Sequence, residues 1–405
     1  MAVKAPPYLL RLTVQNFRSL RSVDLELGRL NVLVGPNGAG KTNLLDVISF
    51  LGDSVREDLE PAIRRRGGME NILFRGEGVQ PSARIRIAIE AAVTKFSNTK
   101  TTDKYTLTFR TIAVRSRGRK SRIIRRTEEF LFKRTAGRGR RITINGSDVT
   151  IMNDEELDFQ STLRETSLGL STLPKLGSEQ GGTQVDALAE LFADFRVFEV
   201  DVNAARRPSP NKRSDKLQEN GGNLAEFLLT MAMNRMDLFE RLIEDARYFI
   251  PGLERLHFES VGGPTDAVVL KVEERGLTGL TDLADMSFGS IRALALLALL
   301  YDPNPPKLTC IEEIDHGLHP HVLDRLVELL REASSRTQLL IATHSPPLVN
   351  RLLPHELIVC ERSEDASSKI PAIDSTVVKE MDAALDGQMG LGELWFTGAL
   401  GGVPE

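Results

Sequence analysis

The sequence of 405 residues is poor in cysteine and tryptophan, with two Cys and one Trp, and aromatic residues make up 5% of it. Two cysteines, Cys310 and Cys360, both within apolar segments, cannot build a disulfide framework or a cysteine-rich metal site. The longest apolar run, 293–300, is far shorter than the roughly 18 residues that a membrane span needs. The N-terminus has a lysine and two prolines where a secretion signal needs an apolar stretch. These absences predict a cytoplasmic protein without membrane segments.

Residues 35–42 fit the phosphate-binding pattern GxxxxGK[ST], and they are Gly35, Pro36, Asn37, Gly38, Ala39, Gly40, Lys41 and Thr42. They follow an apolar segment, 30–34, that reads as a buried strand, and they precede apolar residues at helical spacing. A strand, a loop and a helix in this order aim several N–H groups at an anion near the helix N-terminus. We therefore predict a nucleoside triphosphate as ligand, with Lys41 on its β- and γ-phosphates and the Thr42 hydroxyl on Mg²⁺.

Two more apolar strands carry polar residues at their ends. Residues 308–313 end in Glu312 and Glu313, and residues 339–346 carry His344 near their end. The carboxyl ends of parallel strands meet at the edge of a sheet where ligands bind. We predict that Glu312 belongs to the Mg²⁺ shell, that Glu313 is a general base and that His344 joins the same site. The histidines after the first of these strands lack the cysteine partners of a zinc site, and we expect no metal on them: His316, His319 and His321.

Positive charge is concentrated in one segment. Between residues 110 and 141, thirteen Lys or Arg stand against two Glu, a balance of +11 in a chain whose net charge is −4. The segment reads as three antiparallel strands, 105–115, 122–133 and 140–145, joined by Arg/Gly turns. We predict a surface that follows the phosphates of DNA or RNA, with the candidates Arg117, Arg119, Lys120, Arg138 and Arg140. The alternatives are edge strands protected by charge and a docking surface for an acidic protein.

The three strand-end motifs together resemble those of the ABC-type ATPases, in the branch of RecF, SMC and OLD-like proteins. The resemblance starts at residues 12–20, which are similar to the first strand of that branch, and continues to the end of the chain. Residues 286–290 are similar to its signature loop, whose common form is LSGGQ, although only Ser287 and Gly289 match that form. The resemblance implies that Ser287 and Gly289 contact the γ-phosphate of ATP bound to a second protomer.

The same resemblance assigns further roles around the nucleotide. It implies that Arg18 and Asn43 contact ATP beside the phosphate-binding loop, and that His344 is the switch histidine that senses the γ-phosphate. Glu312 stands where most ABC proteins have Asp, and residues 312–315 depart from the EEPE of this branch. Gln160 is our candidate for the glutamine of the family's Q-loop.

The resemblance also implies an α/β fold. It is an ABC-ATPase head, a P-loop domain with a mixed sheet and flanking helices, that carries an antiparallel β lobe and a mostly helical insertion. We place the N-terminal part of the head with the basic lobe at 1–150, the insertion at 151–262 and the C-terminal part of the head at 263–405. Within the insertion, apolar periodicity predicts helices over 185–195 and 224–249.

The implied activity is hydrolysis of ATP with Mg²⁺ by a homodimer, or a higher oligomer, that closes around the nucleotide. The 61 residues after His344 lack the carboxylate cluster of a Toprim nuclease, so we expect that the chain does not cut DNA itself. Its tail resembles that of stand-alone ATPases paired with a separate effector, often Toprim-like, in bacterial defence. We therefore expect an ATP-switched sensor or scaffold linked to nucleic acid. A RecF-like repair ATPase is the first alternative. The second is the nucleotide-binding subunit of a transporter, which co-fractionation with membranes would favour.

Overall fold

The computed structural model describes residues 8–116, 119–133, 139–154, 156–165, 167–175, 177, 180–210, 212–262, 266–385 and 389–401. The strands, in chain order, are β1 (Tyr8–Phe17), β2 (Leu20–Glu26), β3 (Leu30–Val34), β4 (Ile85–Ala92), β5 (Asp103–Ser116), β6 (Arg119–Phe132), β7 (Arg140–Asn145), β8 (Asp148–Asn153), β9 (Glu156–Thr162), β10 (Phe195–Phe198), β11 (Ser209–Pro210), β12 (Leu253–Val261), β13 (Ala267–Glu274), β14 (Leu280–Asp282), β15 (Leu308–Glu312), β16 (Gln338–Thr343), β17 (Leu357–Val359), β18 (Glu361–Arg362) and β19 (Ser368–Lys369).

The α-helices flank these strands and connect the parallel ones. They are α1 (Lys41–Glu57), α2 (Leu59–Arg65), α3 (Met69–Ile72), α4 (Gly169–Thr172), α5 (Gly182–Ala193), α6 (Val202–Ala205), α7 (Leu224–Asn234), α8 (Met236–Phe249), α9 (Phe288–Leu300), α10 (Leu323–Ser334), α11 (Pro346–Val349), α12 (Ser375–Leu385) and α13 (Leu391–Phe396). None of the helices in the described ranges is long and apolar enough to cross a membrane.

A five-stranded sheet in the order β10-β15-β16-β3-β17 forms the centre of the fold, and all of its strand pairs are parallel. The strands β3 and β16 are buried along their whole length, as continuous apolar sequences predict for a sheet covered on both faces. Successive residues face opposite cores: Leu33 packs with α1 and the antiparallel strands, whereas Val32 packs with α9 and α10. The phosphate-binding loop follows β3, and the two carboxylates follow β15, so both lie at the carboxyl edge of this sheet.

An eight-stranded antiparallel sheet, in the order β2-β1-β4-β5-β6-β7-β8-β9, packs against α1 and α5. Burial alternates along β4 and β7, because one face of the sheet covers the core and the other does not. The three antiparallel strands that the basic segment predicts are β5, β6 and β7. The sheet does not end at residue 150, since β8 crosses that position and β9 pairs with it. The boundary that we expected between 150 and 151 is therefore misplaced.

The segment 151–262 is not a separate helical unit. It supplies β10 to the parallel sheet beside β15, and β12 to a third sheet with β11, β13 and β14. Its helices α7 and α8 pack on α9 in the same core. The helix expected over 224–249 is two helices, because Arg235 leaves the helical conformation with φ −142° and ψ 61° between them. The helix expected over 185–195 ends at Ala193, because β10 begins at Phe195.

Candidate active site

A cleft of about 210 Å³ opens at the carboxyl edge of the parallel sheet. Its walls come from the loop after β3, the ends of β15 and β16 and the hairpin β18–β19. The lining residues are Asn37, Gly38, Gly40, Lys41, Thr42, Asn43, Glu312, Glu313, Ala342, His344 and Arg362. The structure thus brings together the phosphate-binding loop, both predicted carboxylates and the predicted histidine, which lie up to 307 positions apart between Asn37 and His344.

The loop before α1 requires glycine at Gly40. This residue has φ 101°, in the left-handed region, and it caps the N-terminus of α1. A Cβ atom built on Gly40 would lie 2.0 Å from the Ser368 hydroxyl, so the hairpin β18–β19 leaves no room for a side chain. The first residues of α1 line the cleft, and the N–H groups of a first helical turn, together with the helix dipole, stabilise an anion.

Lys41 is 6% exposed and its ammonium donates to the carbonyl oxygens of Gly35 at 2.7 Å and Pro36 at 3.0 Å. Burial lowers the pKa of Lys41 from 10.5 to about 8, against the opposing attraction of Glu312 and Glu313. A phosphate group in the cleft would stabilise the charged ammonium, which is the role predicted for this lysine.

Glu312 is the last residue of β15, and it faces Thr42, the second residue of α1. Burial raises the pKa of the Glu312 carboxyl, and so does the negative charge of Glu199, whereas a hydrogen bond with Thr42 lowers it. The contact shows that the hydroxyl and the carboxylate reach the same point of the cleft. Two oxygen ligands, completed by phosphate oxygens and water, are the set that Mg²⁺ uses beside nucleotides, so these residues fit the metal. Among the described residues, no three His, Cys, Asp or Glu side chains form a protein-only metal site.

Glu313 follows β15 in a conformation that is rare for a non-glycine residue, with φ 46°. Such a conformation costs about 1–2 kcal/mol and persists where surrounding contacts hold it. The Glu313 carbonyl accepts a hydrogen bond of 2.6 Å from the Arg292 guanidinium. Its carboxylate is 57% exposed and lies 3.4 Å from the Nδ1 atom of His316. This carboxylate is therefore accessible to a water molecule, as a general base must be.

His344 comes directly after β16, and its Nδ1 atom lies 3.3 Å from the Lys41 Nζ atom. Burial lowers the pKa of the imidazole, and the positive charge of Lys41 lowers it further. The preceding residue, Thr343, donates to a carboxylate oxygen of Asp315 at 2.5 Å. This bond ties the end of β16 to the loop after Glu313, so the histidine and the predicted base are held by one hydrogen-bonded framework.

The predicted signature residues stand at the start of α9, outside the set that lines the cleft. The Ser287 hydroxyl caps the helix by accepting from the N–H of Ser290 at 3.1 Å. A Cβ atom on Gly289 would lie 2.5 Å from the carbonyl oxygen of Gly317, so glycine is required for this close approach. The signature loop and the loop after Glu313 thus form one continuous surface, on which Ser287 is exposed.

Arg18 and Asn43 line a second cleft of about 390 Å³ that adjoins the first. The guanidinium of Arg18 lies 3.0 Å from Asp46 and 3.5 Å from the Asn43 side chain. Asn43 and Arg362 line both clefts, which makes the two clefts neighbours on the surface. Phe74 adds an aromatic ring to the second cleft.

Three charged residues that the sequence did not single out surround the first cleft. Arg362 donates to the Gly38 carbonyl at 2.9 Å. Arg292 holds the carbonyl of Glu313, and Glu199 follows β10, the strand beside β15. None of them belongs to a short motif, and only the pairing of β10 with β15 places Glu199 near Glu312. Gln160, our candidate for the Q-loop, is instead exposed on the outermost strand, β9, and does not line the cleft.

The structure describes only part of the basic segment, 110–141. Arg117 and Arg138 lie outside the described residues, and the described part of the structure gives no account of the side chains of Arg119 and Lys120. Arg140 was predicted to contact nucleic acid, but it is 3% exposed. Its guanidinium donates to Asn153 and Gln184, each at 2.9 Å, so it joins β7 to β8 and α5 rather than facing solvent. That prediction is wrong for Arg140.

Comparisons with known proteins identify the family of this chain. Residues 30–350, more than half of the chain, match the family described as "AAA domain, putative AbiEii toxin, Type IV TA system". The chain is 52% identical over 56 residues to an OLD nuclease of Thermus scotoductus, which is 14% of this chain and 10% of that protein. It is 56% identical over 45 residues to the DNA replication and repair protein RecF of Actinobacillus pleuropneumoniae, which is 11% of this chain and 12% of that protein.

A solved structure shows the fold. The Smc head domain of Pyrococcus furiosus, bound to the C-terminal domain of ScpA, superposes with a TM-score of 0.55 at 13% identity, covering 95% of this chain and 100% of that one. The matched stretches of the curated relatives are short, so they support the branch and not a whole protein's activity. The chain belongs to this AAA-domain family, and with its Smc-head-like fold it is an ABC-type P-loop ATPase of the RecF, SMC and OLD branch.

Proposed function

We propose that this chain hydrolyses ATP at the carboxyl edge of its parallel sheet, in the cleft that Lys41, Glu313 and His344 line together. The observation that carries the proposal is this convergence: a phosphate-binding loop, a carboxylate exposed to water and a half-buried histidine come from three separate strands and share one cleft. A structural role for the loop alone would not need the other two groups at the same place.

Each residue has a task in the transfer of the γ-phosphoryl group to water. The N–H groups at the start of α1 and the Lys41 ammonium bind the phosphate oxygens and stabilise the charge that spreads over them in the transition state. Thr42 and Glu312 would hold Mg²⁺, which neutralises charge on the β- and γ-phosphates. Glu313 orients the attacking water and accepts its proton. His344, which lies beside Lys41, donates a hydrogen bond to the γ-phosphate.

The second cleft provides a place for the nucleoside. It adjoins the phosphate-binding loop through Asn43 and Arg362, which line both clefts. Arg18 lines this second cleft, with its charge partly balanced by Asp46. We therefore place the phosphates of ATP in the first cleft and its nucleoside in the second.

A second copy of the chain completes the site in this proposal. Ser287 is exposed at the start of α9, and neither Ser287 nor Gly289 lines the cleft of its own chain. The small Ser287 side chain, the absence of a side chain at Gly289 and the free N–H groups of α9 suit contact with a phosphate bound to a partner. ATP would then bind between two protomers, and because it binds the closed dimer better than separate chains it would shift the association equilibrium.

The basic lobe supports a link to nucleic acid. Arg110 on β5 stands directly opposite Arg125 on β6, on the face of the sheet that does not cover the core. Like charges in this position destabilise a sheet, so an external anion would relieve the repulsion.

We propose that nucleic acid is this anion and that ATP binding controls a separate effector, such as a Toprim-like nuclease, in bacterial defence. The reference of the family description to a type IV toxin–antitoxin system supports that role. A RecF-like repair function is the second candidate, favoured by the stretch that is 56% identical to RecF.

ATP turnover by the purified chain tests the core of this proposal. We expect Glu313→Gln to keep ATP binding and to lose at least about 10²-fold in turnover, the scale of a lost general base. Lys41→Ala should instead weaken ATP binding. Glu328→Gln, which changes an exposed carboxylate on α10, is the matched control and should leave both unchanged. Absence of hydrolysis by the wild type would contradict the proposed function, and full activity of Glu313→Gln would contradict the assignment of the base.

A further inference from the structure

Arg292 is a charged residue inside an apolar helix. It is 5% exposed, and every other residue of α9 from Ile291 to Leu300 is apolar and buried. Burying a guanidinium costs free energy unless hydrogen bonds replace its water. Burial lowers the pKa of Arg292, while the negative charges of Glu313, Asp315 and Glu199 oppose that effect. The residue is therefore placed at a cost, and the contacts that it makes there indicate what it does.

The guanidinium of Arg292 donates to main-chain carbonyls at the ends of two neighbouring strands. One nitrogen, Nη2, reaches the carbonyl oxygens of Glu313 at 2.6 Å and Glu312 at 3.2 Å. The other, Nη1, reaches Val200, just beyond β10, at 3.3 Å. Within the described residues its Nε atom has no hydrogen-bond partner. The side chain thus links the residue just beyond β10 to the end of β15 and to the predicted base.

These contacts act on the backbone conformation of Glu313. With φ 46°, Glu313 occupies a region that non-glycine residues rarely adopt, and its conformation decides where the carboxylate points. The hydrogen bond of 2.6 Å holds its carbonyl, and the arginine that donates it does not line the cleft. A planar guanidinium can hold several carbonyls at once in a fixed geometry, which a lysine ammonium on a flexible stem cannot do equally well.

We propose that Arg292 is a positioning residue for Glu313, and that it connects the base to the helix that carries the signature loop. The inference rests on the proposed ATP hydrolysis. Arg292 itself does not line the cleft and touches the base only through its main chain. Ser287, which caps α9, lies five positions before Arg292, about 7.5 Å along a helix of standard rise. A shift of α9 when Ser287 meets a nucleotide would therefore reach the carbonyl of Glu313 through this guanidinium.

The test compares Arg292, which lies on α9, with Arg336, which donates to the C-terminal end of that helix. Arg336 donates to the carbonyls of Leu300 at 2.6 Å and Asp302 at 2.5 Å, at the far end of α9 from the cleft. We expect Arg292→Met to lower the turnover number by about 10²-fold, the scale of a misplaced catalytic group, with ATP affinity within about twofold of wild type. Arg336→Met should lower the melting temperature and leave turnover per folded molecule within about twofold. The measurements are steady-state ATPase rates, binding of a fluorescent ATP analogue and thermal unfolding.

A double variant separates positioning from general damage. If Arg292 acts through Glu313, Arg292→Met added to Glu313→Gln should cause little further loss, because residues that act as a unit are not additive. Arg292→Lys should recover part of the lost turnover. A further loss in the double variant equal to that of Arg292→Met alone would overturn the inference, and so would Arg292→Met with normal turnover. If the wild type hydrolyses ATP and Glu313→Gln does not, the proposed function stands whichever result Arg292 yields.

Discussion

The Nζ atom of Lys41 lies 3.3 Å from the Nδ1 atom of His344, although the two residues are 303 positions apart. The contact joins the phosphate-binding loop after β3 to the end of β16, two strands that pair in parallel with Leu339 opposite Leu30. A cation at this distance disfavours protonation of the imidazole, and burial acts in the same direction. His344 is therefore poised as a neutral hydrogen-bonding group beside the lysine.

Removal of the lysine charge should be visible at the histidine. We expect the pKa of His344 to rise in Lys41→Met, because the positive charge of Lys41 is the second cause, after burial, that lowers it. The measurement is an NMR titration of the six histidine side chains with His344 assigned by substitution. Lys104→Met, which removes a lysine paired with Glu90, is the control and should leave His344 unchanged. A pKa of His344 that does not move in Lys41→Met would mean that the ammonium does not act on the imidazole.

Mixed dimers test the shared site. Ser287→Arg should abolish hydrolysis and keep ATP binding, because Ser287 does not line the cleft of its own chain. Mixing Ser287→Arg with Lys41→Ala should restore part of the activity, since one of the two sites in a mixed dimer then has both an intact lysine and an intact signature loop. The measurement is ATPase rate against mixing ratio, with light scattering for the oligomeric state. Inactive mixtures together with a monomer in the presence of ATP would contradict the dimer.

Charge reversal tests the basic lobe. We expect Arg110→Glu with Arg125→Glu to weaken binding to duplex DNA strongly, with Arg117, Arg119, Lys120 and Arg138 as further sites for reversal. In the wild type, the logarithm of affinity should fall with the logarithm of salt by about 0.9 per neutralised phosphate. ATP hydrolysis without nucleic acid should survive, because neither arginine lines the cleft. Arg275→Glu, at an arginine of which 80% of the side chain is exposed, is the control. Unchanged affinity in the double reversal would favour docking of an acidic protein instead.

Asp302 predicts a dependence of stability on pH. It is 2% exposed, and burial raises the pKa of its carboxyl from 3.8 to about 6. Its contribution to stability is therefore complete below the unfolded value and is lost as pH rises through about 6. From about pH 4.5 to about pH 7.5, the wild type should lose about 2 kcal/mol of unfolding free energy relative to Asp302→Asn.

Urea unfolding at the two pH values measures this difference between the wild type and Asp302→Asn. Asp365→Asn is the matched control. Asp365 is exposed, and hydrogen bonds from Ser367 lower the pKa of its carboxyl to about 2. Its carboxylate stays ionised over the whole range, so the difference in unfolding free energy between the wild type and Asp365→Asn should hardly change with pH. Equal pH dependence of the wild type and Asp302→Asn would show that the carboxyl of Asp302 is not kept protonated by burial.

Local sequence patterns predicted much of the fold and of the site. The apolar runs before Gly35 and before Glu312 are β3 and β15, and the family comparison confirms the ABC-type head. The helix over 224–249 was predicted as one element because its apolar spacing continues past Arg235, and spacing does not report a single residue that leaves the helical region. The boundary at 150 was misplaced for a similar reason, since β9, the polar edge strand that extends the sheet beyond β8, has weak alternation.

By itself, the sequence determined which chemistry is present: a phosphate-binding loop, two acids at the end of one strand and a histidine at the end of another. These are local patterns, and each depends on the order of a few neighbouring residues. Only the tertiary structure decided that Arg292 holds the carbonyl of Glu313, that Arg362 reaches the carbonyl of Gly38 and that Arg140 turns inward. Such contacts join residues that are far apart in the chain, and their geometry follows from how strands pair and helices pack, which no short pattern contains.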